Sequence, residues 1–195
     1  MPRPRAFDEN DVLGGAMHAF RRTGYATISI RTLEEATGLS AGSIYNTYGD
    51  KAGLFKASFA HYLQEVLQSR IASYASPDKG LAGMRALFQS LLREPGGASH
   101  GCLITNSAIE FGSGGTLPAD ALAEAFEILR AALQQRLEDA KKEKRLPQGL
   151  NPAIAALRLV AFYQGLLVLV RAGYDKRKLK QAIDLEFNTL EGKST

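Results

Sequence analysis

The chain has 195 residues, 45% of them hydrophobic, so it can bury a substantial core in one domain or in a small domain joined to a larger one. Its formal net charge of +4 allows a polyanionic partner without requiring one. The single cysteine, Cys102, excludes an intrachain disulfide and suits a reducing, cytoplasmic compartment. The N-terminal sequence lacks the apolar core of a signal peptide, and the most apolar run, Leu159 to Val170, is shorter than the ~20 residues of a membrane span. We therefore expect a buried helix there and no membrane segment.

Apolar residues recur every three or four positions and strand-like alternation is nearly absent, which predicts an all-α fold of about nine helices. The first three helices are predicted at about 8–23, 30–37 and from 41 onward. Gly24 and Gly38 stand in the usual C-terminal positions of the first two helices.

A long fourth helix is predicted to begin at Asp50, a good N-cap residue, and to end before the break at Pro77. Five further helices are predicted from apolar stripes at about 81–92, 102–111, 120–144, 152–172 and 175–190. We therefore expect a small N-terminal domain over residues 1–50, a linking helix over 51–74 and a larger helical domain over 75–195.

The segment LEEATGLSAGSIYNTYGDK, Leu33 to Lys51, has two short pieces with helical apolar spacing and a glycine, Gly38, between them, which predicts two short helices joined by a turn. This arrangement is typical of a helix-turn-helix, whose second helix enters the DNA major groove. Ser40 can cap the second helix, and the small residues after it allow the backbone to approach bases and phosphates. Amides left free at this helix N-terminus would attract phosphate.

Hydroxyl, amide, basic and small residues around this turn are candidate contacts for phosphates and base edges. A phosphate near Lys51 would also offset the unfavourable position of a cation in the first turn of a helix. The candidates are Thr27, Ser29, Arg31, Thr32, Ser40, Ala41, Gly42, Ser43, Tyr45, Asn46, Thr47, Tyr48 and Lys51. The same pattern fits a three-helix packing module with a polar surface loop, because many proteins share this geometry.

Three spaced motifs occur together: VLGGAMHAFRRTGYATISI, then GLSAGSIY, then YGDKAGLF. Over residues 7–60 they closely resemble the N-terminal domain of the TetR/AcrR family of transcriptional repressors. The resemblance implies a helix-turn-helix DNA-binding domain, a homodimer on a palindromic double-stranded operator, and a C-terminal domain for dimerisation and effector binding, with release of DNA on ligand binding. It also implies phosphate contacts from Tyr45 and Lys51 and a basic arm that carries Arg3 and Arg5.

Three residues depart from the family pattern. Glu34 stands where alanine is frequent, which could loosen the packing of the two short helices. Ile28 replaces the usual threonine or serine, and Gly53 leaves the cap at Asp50 without its acidic partner.

The penultimate predicted helix is apolar on nearly all sides, so it needs neighbours all round. It is either an internal core helix or, with the last helix, half of a four-helix bundle formed with a second copy. We favour the bundle, because a symmetric operator requires two recognition helices about 34–36 Å apart. The predicted interface residues are Leu157, Val160, Ala161, Gln164, Val168, Leu169, Ile183 and Phe187.

Apolar and aromatic residues of the larger domain and the linking helix are candidates for an apolar or aromatic effector of unknown identity, although each is also a plausible core residue. They are Phe59, Tyr62, Phe88, Leu92, Cys102, Thr105, Asn106, Ile109, Phe126, Phe162 and Tyr163. No cofactor or metal site is predicted, since His100 and Cys102 have no further histidine or cysteine near them in sequence.

Three other functional classes are alternatives to a ligand-responsive repressor. Cys102 could sense oxidants or electrophiles if the predicted helix start stabilises its thiolate, although a lone cysteine is usually a small buried hydrophobe. The chain could be a DNA binder without an effector. An enzyme is not expected, because the glycine-rich segment FGSGGT follows no strand and lacks the lysine of a phosphate-binding loop.

Overall fold

The computed structural model describes residues 7–93, 100–112 and 119–193, and every regular element in these ranges is helical. The all-α prediction is therefore confirmed. Arg3 and Arg5, the predicted basic arm, lie outside the described residues. The helices are α1 (Glu9–Thr23), α2 (Ile30–Thr37), α3 (Ala41–Tyr48), α4 (Lys51–Tyr62), α5 (Ser69–Tyr74), α6 (Gly80–Ser90), α7 (Leu103–Phe111), α8 (Ala119–Lys142), α9 (Pro152–Arg171) and α10 (Lys176–Leu190).

A π-helical segment, Leu63–Gln68, joins α4 to α5 without a break, so the predicted linking helix is one continuous helical run. With α4, the π-helical segment and α5 counted as one helix, the described residues contain the nine helices that the apolar periodicity predicts. π-helical turns inside α-helices are rare, and those that occur are often found at functional sites.

Four short polar side chains set where the N-terminal helices begin. The side chains of Asp8, Ser29, Ser40 and Asp50 each accept a hydrogen bond from a backbone amide in the first turn of the helix that follows. Each cap satisfies a donor that has no partner inside the helix and is worth about 1 kcal/mol. The predicted starts of these four helices are confirmed.

The chain forms two compact units. The head unit comprises residues 1–66 and 102–122, and the body unit comprises residues 67–101 and 123–195. Helix α7 thus belongs with the N-terminal helices, whereas its sequence position had placed it in the C-terminal domain. The border within the long helical run falls inside the π-helical segment.

The core of the head unit is aromatic. Phe20 and Phe55 meet edge to face with their ring centroids 4.8 Å apart, and Tyr25 and Phe111 lie 5.4 Å apart beside them. Phe111 also packs on Phe55, at 5.5 Å. Helix α7 is therefore built into the same core as α1 and α4.

The core of the body unit centres on Phe88 of α6, which is fully buried. Its ring centroid lies 5.8 Å from that of Phe162, 5.3 Å from Tyr163 and 5.2 Å from Phe187. These contacts join α6, α9 and α10, and aromatic pairs of this kind add about 0.5–1.5 kcal/mol beyond the area they bury.

Helix α9 extends beyond the apolar run seen in the sequence. It has 20 residues and is long and apolar enough, by length and composition alone, to cross a membrane. The core helix of a soluble protein passes the same test, and here 44% of the apolar window is buried within the protein.

Candidate nucleic-acid interface and effector sites

The turn between α2 and α3 is built on Gly38, whose φ of 69° lies in the left-handed region that favours glycine. Its backbone amide donates to the Glu34 carbonyl and so closes α2. Leu33, Leu39 and Ile44 are buried beneath the turn. These contacts fix the direction in which α3 leaves α2.

Glu34 tightens this turn instead of loosening it. Its Oε1 atom accepts a hydrogen bond of 2.6 Å from the amide of Ala41, the first residue of α3. A carboxylate at a helix N-terminus is favourable because of the helix dipole. The expectation that Glu34 weakens the packing of α2 on α3 was therefore wrong.

The amides at the start of α3 are largely occupied. Ala41 donates to Glu34, and Ser43 donates to the Ser40 hydroxyl at 3.3 Å. The expectation that these two amides are free to bind a phosphate was therefore wrong. Any contact of α3 with DNA falls to the side chains and to the approach that Gly42 permits.

Helix α3 leaves one polar side uncovered. Ile44 is fully buried, whereas Tyr45 is 46% exposed and Gly42 and Asn46 are also exposed. Thr47 and Ser43 are half-buried at the margins. A phenol and a carboxamide here are suited to phosphate oxygens and base edges respectively.

The residues before and within α2 are engaged in local hydrogen bonds. The Thr27 hydroxyl donates to the Thr23 carbonyl at 2.6 Å, and the Ser29 and Thr32 hydroxyls lie 2.9 Å apart. Arg31 forms an exposed ion pair with Glu35 at 3.4 Å. Thr27, Ser29 and Arg31 are exposed, so they remain available to a backbone phosphate on rearrangement of these weak surface bonds.

Two predicted contacts are partly withdrawn from solvent. The Lys51 ammonium donates to the Ile28 carbonyl at 2.8 Å and lies 4.6 Å from the Tyr25 ring centroid, so it also holds the chain that leads into α2. The Tyr48 hydroxyl is buried, so its prediction as a DNA contact was wrong.

Close packing explains the departure at Gly53. A Cβ atom on this residue would lie 1.8 Å from the Tyr48 carbonyl oxygen, so no side chain fits. The Asp50 carboxylate still accepts from the Gly53 amide at 2.7 Å. The cap is retained, and the acidic partner of a capping box is excluded by the tight turn from α3 into α4.

Helix α7 clips the segment between α1 and α2, a contact that no sequence motif predicted. The two Glu110 carboxylate oxygens accept hydrogen bonds from the amides of Tyr25, at 3.0 Å, and Ala26, at 2.6 Å. The Asn106 carboxamide donates to the Arg21 carbonyl at 3.2 Å. We call this set, Arg21, Tyr25, Ala26, Asn106 and Glu110, the α7 clip.

The predicted effector residues fall into two groups, one in each unit. In the head unit, Phe59, Tyr62 and Cys102 are buried, and the Tyr62 hydroxyl donates to Cys102 Sγ at 3.3 Å. Two predictions on α7 were wrong: Asn106 belongs to the α7 clip, and Ile109 is 76% exposed.

In the body unit, Phe88 and Tyr163 are buried, and Leu92, Phe126 and Phe162 are half-buried. The rings of Phe88, Phe162 and Tyr163 pack against one another as core. A cleft of about 380 Å³ elsewhere in this unit, between α5 and α8, is lined by none of the predicted effector residues.

The outward side of α9 carries an apolar stripe. Ile154 is 65% exposed, Leu157 57%, Val168 46% and Leu169 38%, and the small residues Ala161 and Gly165 between them are also exposed. Leu185 of α10 is 49% exposed. We call these seven residues the α9 stripe; large exposed apolar side chains in a row are typical of interaction surfaces.

Several predicted dimer residues face inward instead. Ile183 and Phe187 are fully buried, and Val160 is only 7% exposed, so their assignment to an interface was wrong. Phe187 packs on Phe88 and beneath the Arg85 guanidinium. On α9 both sides are apolar, so apolar periodicity alone could not tell the inner side from the outer one. On α10, Ile183 and Phe187 belong to the buried apolar side, and periodicity does not say whether such a side packs within the chain or against a second copy. Gln164 is half-buried.

Two family models match the chain. The model described as "Bacterial regulatory proteins, tetR family" matches residues 12–58, which contain α2, the turn and α3. The model described as "Tetracyclin repressor-like, C-terminal domain" matches residues 80–185.

Curated relatives and solved structures agree with these matches. The chain is 30% identical over 201 residues to the uncharacterized HTH-type transcriptional regulator YezE of Bacillus subtilis, covering 98% of this chain and 100% of YezE. It is 25% identical to the HTH-type transcriptional repressor ComR of Escherichia coli, covering 92% and 87%. A cysteine mutant of the TetR family regulator CifR, solved with 26-base-pair operator DNA, has a TM-score of 0.80 at 23% identity, covering 96% of this chain and 99% of CifR.

Proposed function

Because this chain belongs to the TetR family of DNA-binding transcriptional repressors, we propose that it binds a palindromic operator as a homodimer and releases it when a small, largely apolar effector binds the C-terminal helices. The observation that carries the proposal is the uncovered polar side of α3, where Tyr45 and Asn46 stand on a helix held by Glu34 and Gly38. The proposal places the protein in the cytoplasm with its DNA and gives it no catalytic step.

The α9 stripe supports the homodimer. Leaving Ile154, Leu157 and Val168 in water is unfavourable, at roughly 25 cal/mol for each Å² of apolar surface. A second copy would cover the same patch by two-fold symmetry, and the exposed Gly165 would let two α9 helices cross closely. Two recognition helices would then face two half-sites of a palindrome.

The proposed release is a population shift. Effector binding favours a dimer in which the recognition helices no longer match the operator spacing. A typical coupling free energy of about 1–3 kcal/mol gives a 5–150-fold loss of operator affinity. The α7 clip is a route by which a movement of α7 reaches the segment in front of α2.

The test is selection of bound fragments from randomised duplex DNA, followed by gel-shift titration at several salt concentrations. We expect a palindromic consensus, an affinity that falls steeply with salt, and a loss of about 5–150-fold on Asn46→Ala. Gln135→Ala, which removes an exposed carboxamide from α8, is the matched control and should leave binding unchanged. Absence of salt-sensitive binding to any selected duplex would refute the proposal.

A second candidate is a repressor that responds to oxidants or electrophiles through Cys102. Cys102 lies immediately before α7, and its Sγ atom accepts a hydrogen bond of 3.3 Å from the Tyr62 hydroxyl. Oxidation or alkylation of this sulfur would therefore disturb α7 and, through it, the α7 clip. Against it, Cys102 is only 5% exposed. If a Cys102→Ser variant still releases operator on treatment with hydrogen peroxide, this candidate is rejected.

A further inference from the structure

The cleft of about 380 Å³ in the body unit has the size of a small-molecule site. One wall is formed by Ile71 of α5 with Ala75 and Pro77 beyond it, and the other by Ile128 and Ala132 of α8. The walls are therefore mostly aliphatic. They offer van der Waals contacts to an apolar ligand.

One charged side chain, Arg136 of α8, lines the same cleft. Only 12% of this side chain is exposed, and its Nε atom is buried with no hydrogen-bond partner among the described residues. The nearest carboxylate, Asp139, lies 3.8 Å from Arg136 Nη2, beyond hydrogen-bonding distance. Asp139 already accepts from Gln135 at 3.0 Å and lies 3.5 Å from the Lys142 ammonium.

A nearly buried guanidinium is costly when its Nε atom has no hydrogen-bond partner among the described residues and its ion pair with Asp139 is as long as 3.8 Å, so its presence in an aliphatic cleft requires an explanation. A guanidinium has five donors in a planar fork that matches the two oxygens of a carboxylate. We propose that this cleft binds a small organic acid, with its carboxylate on Arg136 and its hydrocarbon part between α5 and α8. Aliphatic acids of medium chain length combine the required charge and apolar body.

A second cleft of the body unit, about 540 Å³ in volume, also contains cations, but they already have partners. Arg85 lies 3.3 Å from Glu191 and donates to Asn188 at 2.8 Å, and Arg145 lies 3.1 Å from Glu143. An acid would have to displace these partners. At Arg136 the Nε atom has no hydrogen-bond partner among the described residues that an acid would have to displace.

The position of the cleft connects it with the proposed regulation. Gln68, which also lines it, is the last residue of the π-helical segment, and the border between the head and body units falls within that segment. An acid in the cleft would therefore contact the helical run next to the place where it passes from one unit to the other. This connection rests on the proposed function, whereas binding of the acid does not.

The experiment is isothermal titration of octanoate into the full-length protein, with octanol and octylamine as neutral and cationic counterparts. We expect octanoate to bind about tenfold or more tightly than octanol, and octylamine not to bind. Arg136→Met, which keeps the apolar stem, should weaken octanoate about tenfold or more. Arg130→Met is the matched control on α8, because Arg130 is paired with Glu127 and does not line the cleft.

Thermal unfolding of the ligand-free variants supplies a second readout. If Arg136 is kept for a ligand at a cost in stability, Arg136→Met should unfold at the same or a higher temperature than the wild type. A lower unfolding temperature would mean that the arginine stabilises the fold, and it would overturn the proposal. So would equal binding of octanol and octanoate, unchanged octanoate binding in Arg136→Met, or no binding of octanoate.

Gel shifts with the selected operator separate this proposal from the proposed function. Octanoate that binds through Arg136 but leaves the DNA complex intact would confirm the acid site and reject its role as the effector site. Release of operator by another effector, without octanoate binding, would reject the acid site and leave the proposed function standing.

Discussion

Helices α3 and α9 each leave one side uncovered, and the two sides have opposite chemistry. The open side of α3 carries Tyr45 and Asn46, whereas that of α9 carries Ile154, Leu157 and Val168. A phenol and a carboxamide are well hydrated, so exposure of this side of α3 to solvent costs little free energy while no DNA is bound. Exposure of the aliphatic side chains of α9 to water is unfavourable, so this side of α9 favours a long-lived association that covers it.

The two surfaces fit associations of different lifetime. A reversible, salt-sensitive contact with DNA suits the polar surface. A contact that is present throughout the working cycle suits the apolar one, because obligate interfaces resemble a domain core cut in half. We therefore expect the proposed dimer to persist both on and off the operator.

The largest effect is expected from a charge placed in the α9 stripe. Val168→Glu should convert the dimer to monomers, because it buries a carboxylate without a partner in the interface. Operator affinity should then fall about 100-fold or more, since one recognition helix is lost from each complex. Light scattering after size exclusion gives the mass, and gel shifts give the affinity.

Ala131→Glu is the control for this change, because it places the same charge at an exposed position of α8. It should leave both mass and affinity unchanged. A Val168→Glu protein that remains dimeric would show that the interface does not include the centre of the α9 stripe.

A pair of neighbouring glycines tests how α3 is supported. A Cβ atom at Gly15 of α1 would lie 2.0 Å from the Ala36 carbonyl of α2, whereas one at Gly14 would meet nothing within 4 Å. Gly15→Ala should lower the free energy of unfolding by about 1–3 kcal/mol. Gly14→Ala should raise it by about 0.5–1 kcal/mol, because alanine restricts the unfolded chain.

Urea denaturation of both variants measures these changes. Equal effects of the two substitutions would mean that α1 and α2 do not approach closely at Gly15. In that case the orientation of α3 would depend on fewer contacts than the structure indicates.

A smaller effect is expected from the α7 clip. Glu110→Ala removes the acceptor of two backbone amides and should cost about 1–2 kcal/mol of stability. Glu110→Gln keeps one oxygen acceptor and should lose about half as much. Amide hydrogen exchange at Tyr25 and Ala26 is the measurement, and unchanged exchange in Glu110→Ala would contradict the clip.

The smallest effect concerns the acid stability of the body unit, through Asp184 of α10. A hydrogen bond from Lys180 holds the pKa of Asp184 below its usual value of 3.8, assisted by the Lys180 charge, Gln89 and Arg85. A carboxyl whose pKa is lowered in the folded state stabilises that state above pH 3.8, and this contribution is lost as the pH falls through the lower value. Asp184→Asn should therefore flatten the loss of stability below about pH 4. If the free energy of unfolding of Asp184→Asn depends on pH as that of the wild type does, Asp184 does not contribute to acid stability.

Local sequence signals predicted most of the fold. Ser29, Ser40 and Asp50 cap the helices that they precede, and Gly38 ends α2 in the conformation expected for a glycine there. These features act over three or four residues, so the sequence contains all the information required. The polar side of α3 followed from the same local pattern.

Contacts between distant parts of the chain could not be predicted. Glu34 reaches seven residues forward to the start of α3, and Glu110 reaches back more than eighty residues to Ala26. The sequence does not say which partner a carboxylate will meet. For the same reason the burial of Ile183 and Phe187 within the body unit, and the lack of a hydrogen-bond partner for Arg136 Nε among the described residues, appear only once the helices are packed.

Sedimentation of the protein with its selected duplex at two salt concentrations tests directly whether two chains bind one palindrome. We expect complexes that contain an even number of chains for each palindrome and are weakened by salt, by about 5–150-fold in Asn46→Ala and by about 100-fold or more in Val168→Glu. A single chain bound at full affinity, or binding that neither substitution affects, would contradict this expectation.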